Sequence, residues 1–354
     1  MVLLFTFRIA AWMLGFAGWY DSRDHHSTFM FYFQWNHWYA YGPLLWFYFR
    51  SVTNRNFHFQ KKHWLHFIPA FWVILHSLAV FGFDVVYQHW MIGSDFPAFH
   101  GTRDPLTDVN LGIYGFFKND LGPLIVLVYF GYTLWKYRDY RRYIFENFSD
   151  TEGMEFQWLR NFLIAFLAAQ IISLLFIIVY ALSIEQLSYI DHWYSYFAWG
   201  AIVYYVSIGG YGAHPRLDLP IEFEKKKEEP TIEINEPEKL ENKLGEQLSA
   251  IMKTEKLYLN ADLTLSELAK RMRTSPSNSS KSINQFYEKN FNDFVNAYRV
   301  EEVKIKLMKP EVSHLSLLGI ALECGFKSKA TFNRAFKKHS GSSPSEYLKS
   351  QKTF

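Results

Sequence analysis

The residues with the clearest chemical pattern lie near the carboxyl end of this chain. Residues 315–348 show a helix, a turn at Gly325 and a second helix at about 329–339. The second helix would bury Phe332 and Phe336 on one face. Its other faces carry basic and polar side chains, namely Lys329, Thr331, Asn333, Arg334, Lys337 and Lys338. Such side chains neutralise phosphates and contact base edges in the DNA major groove, although an ordinary helical hairpin with a solvated basic face has the same pattern.

A second copy of this pattern lies earlier in the chain, at 263–289. Thr264 and Glu267 stand three residues apart at its start, which is the spacing of a capping box. We expect the second helix of this copy to turn Phe286 toward the core. The helical pattern of 291–309 then joins the two copies. A rigid connection of this kind would hold two recognition helices about one DNA turn (~34 Å) apart.

The chain divides by composition into an aromatic, apolar first part and a charged second part. Up to about residue 212 the sequence is crowded with Phe, Trp, Tyr and Leu, whereas 240–354 holds 19 Lys and Arg against 12 Asp and Glu. This positive charge suits a polyanion such as double-stranded DNA. The single cysteine, Cys324, excludes an internal disulfide, and we expect it to be a small buried side chain. The sequence contains no recognisable set of catalytic residues. It predicts no bound metal ion, no cofactor and no enzymatic activity.

Six apolar stretches in the first part are long enough to cross a bilayer, which takes about twenty residues. They run roughly over 2–20, 29–49, 64–83, 111–135, 159–182 and 193–212. The fourth is interrupted at 118–120, so its spanning part is expected at 121–135. The predicted fold class is therefore all-α, with a polytopic helical membrane domain over 1–212 and a double helix-turn-helix domain over 240–354.

Lysine and arginine between the spans predict the orientation, because they favour the cytoplasmic side of a membrane. The joints at 50–63 and 136–160 are basic and hold Arg50, Arg55, Lys61, Lys62, Lys136, Arg138, Arg141, Arg142 and Arg160. The opposite joints hold only Arg23, Arg103 and Lys118. We therefore expect a multi-pass protein of the cytoplasmic (inner) membrane, with both termini and the basic C-terminal part in the cytoplasm.

Polar side chains inside the predicted spans are functional candidates, because burial in a bilayer is costly for them. The candidates are Arg8, His76, Asn161 and Gln170. His66 lies ten residues before His76 on the same span, and His63 lies three residues before His66 near its cytoplasmic end. The histidines could bind a metal or carry protons, but no acidic partner follows their pattern, so hydrogen bonds between helices are the favoured interpretation. The outer joint at 84–120 could gate a ligand pocket or be a plain connector, and the sequence leaves both open.

A flexible charged linker is predicted at 213–239. Four prolines and a mixed charge run prevent a long helix there and leave little to bury. The leucine pattern of 238–253 then becomes helical. This helix could pair with its copy in a homodimer or pack on the domain that follows.

Residues 263–350 resemble the DNA-binding domain of AraC/XylS-type transcriptional regulators, which has two helix-turn-helix units on one connecting helix. The matching stretches are SELAKRM, FNDFVNAYRVEEVKIKLM and IALECGFKSKATFNRAFKKHSGSSPSEY. The resemblance implies units at about 263–289 and 315–339. It places the base-facing positions on Ser277, Ser280, Lys281, Lys329, Ala330, Thr331 and Arg334. Lys337 and Lys338 would neutralise phosphates, which gives affinity without sequence choice.

One position departs from the family pattern. Ser279 stands where the family has a leucine-like residue that points into the core of the first unit. A buried serine would leave a gap and a hydroxyl that needs a partner. We therefore expect the second unit to be the better reader of bases.

The arrangement of the whole chain is similar to membrane-anchored AraC-type regulators of Bacteroidetes-like bacteria. The stretches GWYDSRDHHSTFMF, YGPLLWFYFRS and WLHFIPA carry that likeness. It implies a membrane sensor that couples an outside or membrane signal to promoter binding. Two alternatives stay open, namely a membrane enzyme or transporter with a regulatory DNA-binding tail, and a passive membrane anchor on a transcription factor. Expected partners besides DNA are the lipid bilayer, RNA polymerase and a second copy of the chain.

Overall fold

The computed structural model shows a chain built of helices. It describes residues 2–20, 22, 24–35, 37–95, 116–182, 192–211, 221, 223, 237–309 and 315–352. These residues contain no β-strand, so the all-α prediction is confirmed for them. Most of the predicted linker and residues 96–115 of the outer joint lie outside the described part. The chain forms two compact units, Met1–Tyr137 with Phe156–Glu222, and Arg138–Glu155 with Phe223–Phe354.

The first unit consists of helices that follow one another along the chain. They are α1 (Val2–Phe16), α2 (His25–Tyr32), α3 (Trp38–Thr53), α4 (Lys61–Met91), α5 (Gly122–Asn147), α6 (Gln157–Leu182) and α7 (His192–Tyr211). α4 is one continuous helix that begins with 3-10 geometry and ends with π geometry. α5 follows a π-helical turn, Phe116–Leu121. Its last part, from Arg138 onward, belongs to the second unit.

One predicted span is not a continuous helix. The stretch 29–49 leaves helical geometry after Tyr32 and returns to it at Trp38. The polar Gln34 lies in this break, where its Oε1 accepts a hydrogen bond from the hydroxyl of Ser77 on α4 at 3.0 Å. A break of this kind is tolerated when a neighbouring helix supplies the polar partner. The other five predicted spans overlap α1, α4, α5, α6 and α7.

Only one helix in the described part of the chain is both long enough and apolar enough to cross a membrane. It is the 31-residue α4. The apolar stretch Gly200–Gly209 within α7 is shorter. By length and composition alone, one described helix could cross a membrane, and the six predicted spans stay a prediction.

The second unit is arranged around one long helix. Its helices are α8 (Pro237–Glu255), α9 (Leu265–Met272), α10 (Pro276–Tyr287), α11 (Phe291–Leu307), α12 (Leu317–Glu323), α13 (Lys329–Ser340) and α14 (Pro344–Lys352). The first half of α11 contributes Phe291, Phe294 and Val295 to a core with α8, α9 and α10. Its second half contributes Val300 and Val303 to a core with α12 and α13. α11 therefore fixes the spacing of the two helix pairs.

α8 packs on the pair α9–α10. Its Leu248 and Met252 are fully buried in the core that they share with this pair. Of the two roles that the sequence leaves open for this helix, packing on the next domain is the one observed. Gly245 allows a close approach, because a Cβ there would lie 2.7 Å from the ring of Phe286. The prediction that Phe286 turns toward the core is wrong, since 48% of it is exposed beside α8.

A buried arginine on α11 connects three parts of the second unit. Arg299 is fully buried, and its five N–H groups donate five hydrogen bonds of 2.8–3.3 Å. The acceptors are the carbonyl oxygens of Tyr258 and Asn260, Oδ1 of Asn296, and both the carbonyl and hydroxyl oxygens of Ser149. Burial lowers the pKa of the Arg299 guanidinium to about 10, which leaves it charged at neutral pH.

The connection between α5 and α6, residues 148–155, is part of the second unit. The Ser149 N–H donates to the carbonyl oxygen of Leu263 at 3.1 Å. Nδ2 of Asn292 on α11 donates to the Ser149 carbonyl oxygen at 2.9 Å. The sequence assigns this segment to the domain at 1–212, whereas the structure groups it with the C-terminal helices because these bonds hold its backbone.

We expect the substitution Arg299→Lys to destabilise the second unit. Lysine keeps the charge but cannot reach the separate acceptors on Ser149, Tyr258 and Asn260 at the same time. A buried acceptor without a donor costs about 1–3 kcal/mol. The melting temperature of the full-length protein in detergent, followed by circular dichroism, should fall by about 5–10 °C.

The matched control is Arg271→Lys on α9. The Arg271 side chain is 64% exposed, and its ion pair with Glu255 spans 3.7 Å. An exposed pair of this kind contributes little to stability, so the control should melt like the unaltered protein. Equal melting temperatures for the two variants would contradict the role given to Arg299.

Candidate nucleic-acid interface

Hydrogen-bonded caps set the start of the helices that are predicted to bind DNA. On α9, Thr264 Oγ1 accepts from the Glu267 N–H at 3.2 Å and Glu267 Oε2 accepts from the Thr264 N–H at 2.9 Å, which confirms the predicted capping box. On α13, Ser328 Oγ accepts from the Thr331 N–H at 3.2 Å. Ser275 caps α10 in the same way. A fixed helix start determines which side chains share each face.

The turn between α12 and α13 requires glycine. Gly325 has a φ of +89°, and a Cβ there would lie 2.5 Å from the carbonyl oxygen of Tyr258. Phe326 follows, 2% exposed, and its ring centroid lies 5.4 Å from that of Phe332. Phe332 and Phe336 are buried as predicted. The basic residues of α13 are therefore confined to its other faces.

The candidate DNA-contacting residues occupy different environments. Lys281, Lys329, Ala330, Arg334, Lys337 and Lys338 are exposed, whereas Ser277 and Ser280 are half-buried. Thr331 is only 5% exposed. Lys338, a predicted phosphate contact, forms an ion pair with Asp293 of α11 at 2.6 Å. Most of the predicted set thus lies on the surface, and Thr331 does not.

Two glutamates from the connection between α5 and α6 contact the N-terminal half of α13. Oε2 of Glu152 accepts hydrogen bonds from the Thr331 hydroxyl at 3.0 Å and from the Ser328 hydroxyl. Oε1 of Glu155 accepts from Nη1 of Arg334 at 3.3 Å. The Glu155 side chain is 9% exposed and the Arg334 side chain is 54% exposed. The two carboxylates thus occupy donors that are candidates for contact with DNA.

Sequence reasoning missed this contact. The sequence feature that could have indicated it is a group of acidic residues, Asp150, Glu152 and Glu155, at the end of the joint 136–160. The orientation rule counts lysine and arginine alone, so it gives acidic residues no weight. Acidic side chains in a joint that faces a basic domain are the feature that could have predicted the contact.

The core of the first helix pair contains two buried hydroxyls. Ser279 is fully buried as expected, and its hydroxyl lies 3.7 Å from Sδ of Met272, which is a weak acceptor. Ser282 is 1% exposed, and its hydroxyl has no hydrogen-bond partner among the described residues. Poorly paired hydroxyls weaken a small core. The pair α12–α13 has an apolar core in which Phe332 and Phe336 are buried.

The single cysteine is part of that core. Cys324 is fully buried. Burial raises the pKa of its thiol to about 11, so the thiol stays neutral at physiological pH. A neutral buried thiol behaves as a small apolar side chain, as the sequence predicts.

His63 and His66 of α4 have separate partners. Nδ1 of His63 accepts from the Gln60 N–H at 3.0 Å. His66 shares a hydrogen bond with the hydroxyl of Tyr129 on α5, which is the kind of bond between helices that the sequence favours. Among the other polar candidates, Arg8 lies over the ring of Trp38, Asn161 is exposed and Gln170 is buried.

One group in the described part of the chain has ligand atoms close enough to hold a metal ion, and the sequence analysis did not predict it. The ligand atoms of Asp24, His25 and His26 lie within 4.8 Å of one another. Asp24 and His25 also line a pocket of about 690 Å³ together with His89 and apolar side chains. However, Asp24 already accepts hydrogen bonds as the cap of α2. The consecutive Asp-His-His run is the signal that could have predicted this group.

Known proteins match only part of this chain. Residues 268–350 match a family described as helix-turn-helix domain. Uncharacterized HTH-type transcriptional regulators of Staphylococcus aureus strains COL and N315 are each 34% identical over 91 residues, which cover 26% of this chain and 12% of the relative. The chain thus spans about an eighth of the length of these relatives. No solved structure matches the chain. The C-terminal part of the chain therefore contains a helix-turn-helix domain of the AraC type.

Proposed function

We propose that the protein is a sequence-specific DNA-binding transcriptional regulator held in the cytoplasmic membrane. The observation that carries this proposal is the second unit, in which two capped helix pairs sit on one helix, α11, and each second helix exposes a cationic side chain. The family match of residues 268–350 and the HTH-type regulators of Staphylococcus aureus support the same function.

In this proposal α10 and α13 enter successive major grooves. Lys281 and Arg334 contact guanine edges, where a well-placed pair contributes about 1–3 kcal/mol of discrimination. Thr331 and Ala330 can meet a thymine methyl group. Lys337 and the ion-paired Lys338 lie farther along α13 and neutralise phosphates. The remaining candidates, Ser277, Ser280 and Lys329, lie in or next to the first turn of their helices, which is the part that approaches the bases.

The surface of α4 supports a membrane location for the first unit. Only 22% of its most apolar 18-residue segment is buried. One face carries large apolar side chains at three- and four-residue spacing, each more than half exposed: Trp64, Ile68, Phe71, Leu75 and Leu78. A helix of a water-soluble protein buries such a face, whereas lipid would cover it in a bilayer.

The covalent path between the units supports a coupling between membrane and DNA. α5 continues from the first unit into the second at Arg138, and the chain returns to the first unit at Phe156, one residue before α6. A signal that shifts α5 or α6 would therefore act directly on residues 148–155. In the proposed mechanism this shift alters the DNA-binding helices and so alters promoter occupancy.

We expect Lys281→Ala and Arg334→Ala each to weaken binding of the full-length protein to its promoter DNA by about tenfold, because each removes one base contact. Each should also relax the base preference at one position, which selection of binding sites from random duplexes would show. Arg334→Ala also removes the contact with Glu155, which can itself alter the affinity for DNA. For this variant the change in base preference is therefore a more direct readout than the change in affinity.

The control for this prediction is Lys253→Ala. Lys253 is an exposed lysine on α8, away from both candidate recognition helices in the sequence. The same charge is lost, so general attraction to phosphates falls equally. If Lys281→Ala and Arg334→Ala bound with the same affinity and base preference as Lys253→Ala, the DNA-reading proposal would be wrong.

Reporter fusions test the membrane part of the proposal. A reporter that is active only outside the cytoplasm should be active when fused at Asp95 and inactive when fused at Asn147, since these positions lie in opposite joints. Equal activity at both positions would overturn the proposed topology.

A further inference from the structure

We infer that residues 150–155 are an internal competitor of DNA, whose Glu152 and Glu155 occupy the base-reading face of α13 and must leave before this helix can enter the major groove. This inference rests on the proposed function, because it concerns the regulation of the same face. It assigns to the acidic turn a role that neither the family match nor the relatives provide.

Occlusion of Thr331 is the first argument. Thr331 is 5% exposed and donates its hydroxyl to Glu152, which also accepts from the capping Ser328. The first turn of a recognition helix is the part that approaches the bases. A base cannot contact Thr331 while the Glu152 carboxylate covers it. The described conformation of the second unit therefore withholds Thr331 and one donor group of Arg334 from DNA.

The chemistry of the covering groups is the second argument. Glu152 and Glu155 offer carboxylate oxygens to hydroxyl and guanidinium donors, and the same donors would bond to phosphate or base acceptors of DNA. The carboxylates also carry the same charge sign as the DNA backbone. Simultaneous binding would place negative charges beside each other, so the acidic turn and DNA exclude one another.

The turn holds both carboxylates in position. The Glu152 N–H donates to Oδ1 of Asp150 at 3.1 Å, and the Met154 N–H donates to the carbonyl oxygen of Thr151 at 3.0 Å. The hydroxyl of Thr151 donates to Oε1 of Glu155 at 3.0 Å. A segment with these internal bonds presents its acids at little further entropic cost. The acids thus form a prearranged ligand for α13.

The packing of this turn on the core does not depend on Glu152. Ser149 and Thr151 are fully buried and make the contact with the core, whereas Glu152 is only half-buried. Carboxylates in a protein interface are costly unless they are paired. Their pairing with Ser328, Thr331 and Arg334 therefore indicates a specific contact with the DNA-reading face.

The test compares DNA binding of full-length variants in lipid nanodiscs. The probe is a duplex selected from a random-sequence pool by the E152Q/E155Q variant, with a scrambled duplex for comparison. Glutamine keeps the size of the side chain and removes the charge. E152Q/E155Q should bind the selected duplex at least about fivefold more tightly than the unaltered protein. Adding Arg334→Ala to this variant should reduce the increase in affinity, because the two carboxylates affect DNA binding through α13.

The matched control is E146Q/E246Q. It removes the same net charge from one residue of α5 and one residue of α8, and neither glutamate has an ion pair among the described residues. Its affinity should stay within about twofold of the unaltered protein. If E152Q/E155Q proves unstable in a thermal melt, the single variant E152Q replaces it in the comparison. Glu152 is only half-buried, so E152Q should fold and still bind the selected duplex measurably more tightly than the unaltered protein.

The outcomes separate this inference from the proposed function. If the unaltered protein prefers the selected duplex to the scrambled one but E152Q/E155Q binds no more tightly than the control, the acidic turn is no competitor. If no variant prefers the selected duplex, the proposed function itself fails and the inference fails with it.

Discussion

The second unit depends on the buried guanidinium of Arg299. A buried charge is stable only when its donors are paired, and Arg299 finds acceptors on Tyr258, Asn260, Asn296 and Ser149. The turn at Gly325 passes so close that a Cβ would lie 3.0 Å from the Arg299 Nε. The same side chain thus connects both helix pairs with the segment that enters from α5.

This connection limits how the acidic turn can move. Full withdrawal of residues 148–155 would leave two Arg299 donors without the Ser149 oxygens, at about 1–3 kcal/mol each. A hinge after Thr151, which is fully buried like Ser149, avoids that cost and still frees the carboxylates of Glu152 and Glu155. Gly153 lies within the moving part with a φ of +77°, a conformation that glycine adopts easily. The acidic turn therefore combines a fixed anchor at Ser149 with a releasable contact on α13.

Local patterns in the sequence predicted the helix pairs well. The capping box of Thr264 and Glu267, the glycine turn at Gly325 and the buried Phe332 each depend on residues only a few positions apart. Features that depend on distant residues were not predictable in this way. Phe286 packs beside Gly245 of α8 and stays 48% exposed, and the contact of Ser328 with Glu152 joins residues 176 positions apart. The break in the span 29–49 likewise involves Gln34 and Ser77 of another helix.

Hydrogen–deuterium exchange of the full-length protein, with and without the selected duplex, tests the central claim most directly. The amides of Glu152 and Met154 are hydrogen-bonded within the turn, so their exchange reports its state. The account predicts that DNA slows exchange in the first half of α13 and speeds exchange at residues 152–155. Slower exchange in α13 with unchanged or slower exchange at 152–155 would show that DNA and the acidic turn bind together, and would contradict the account.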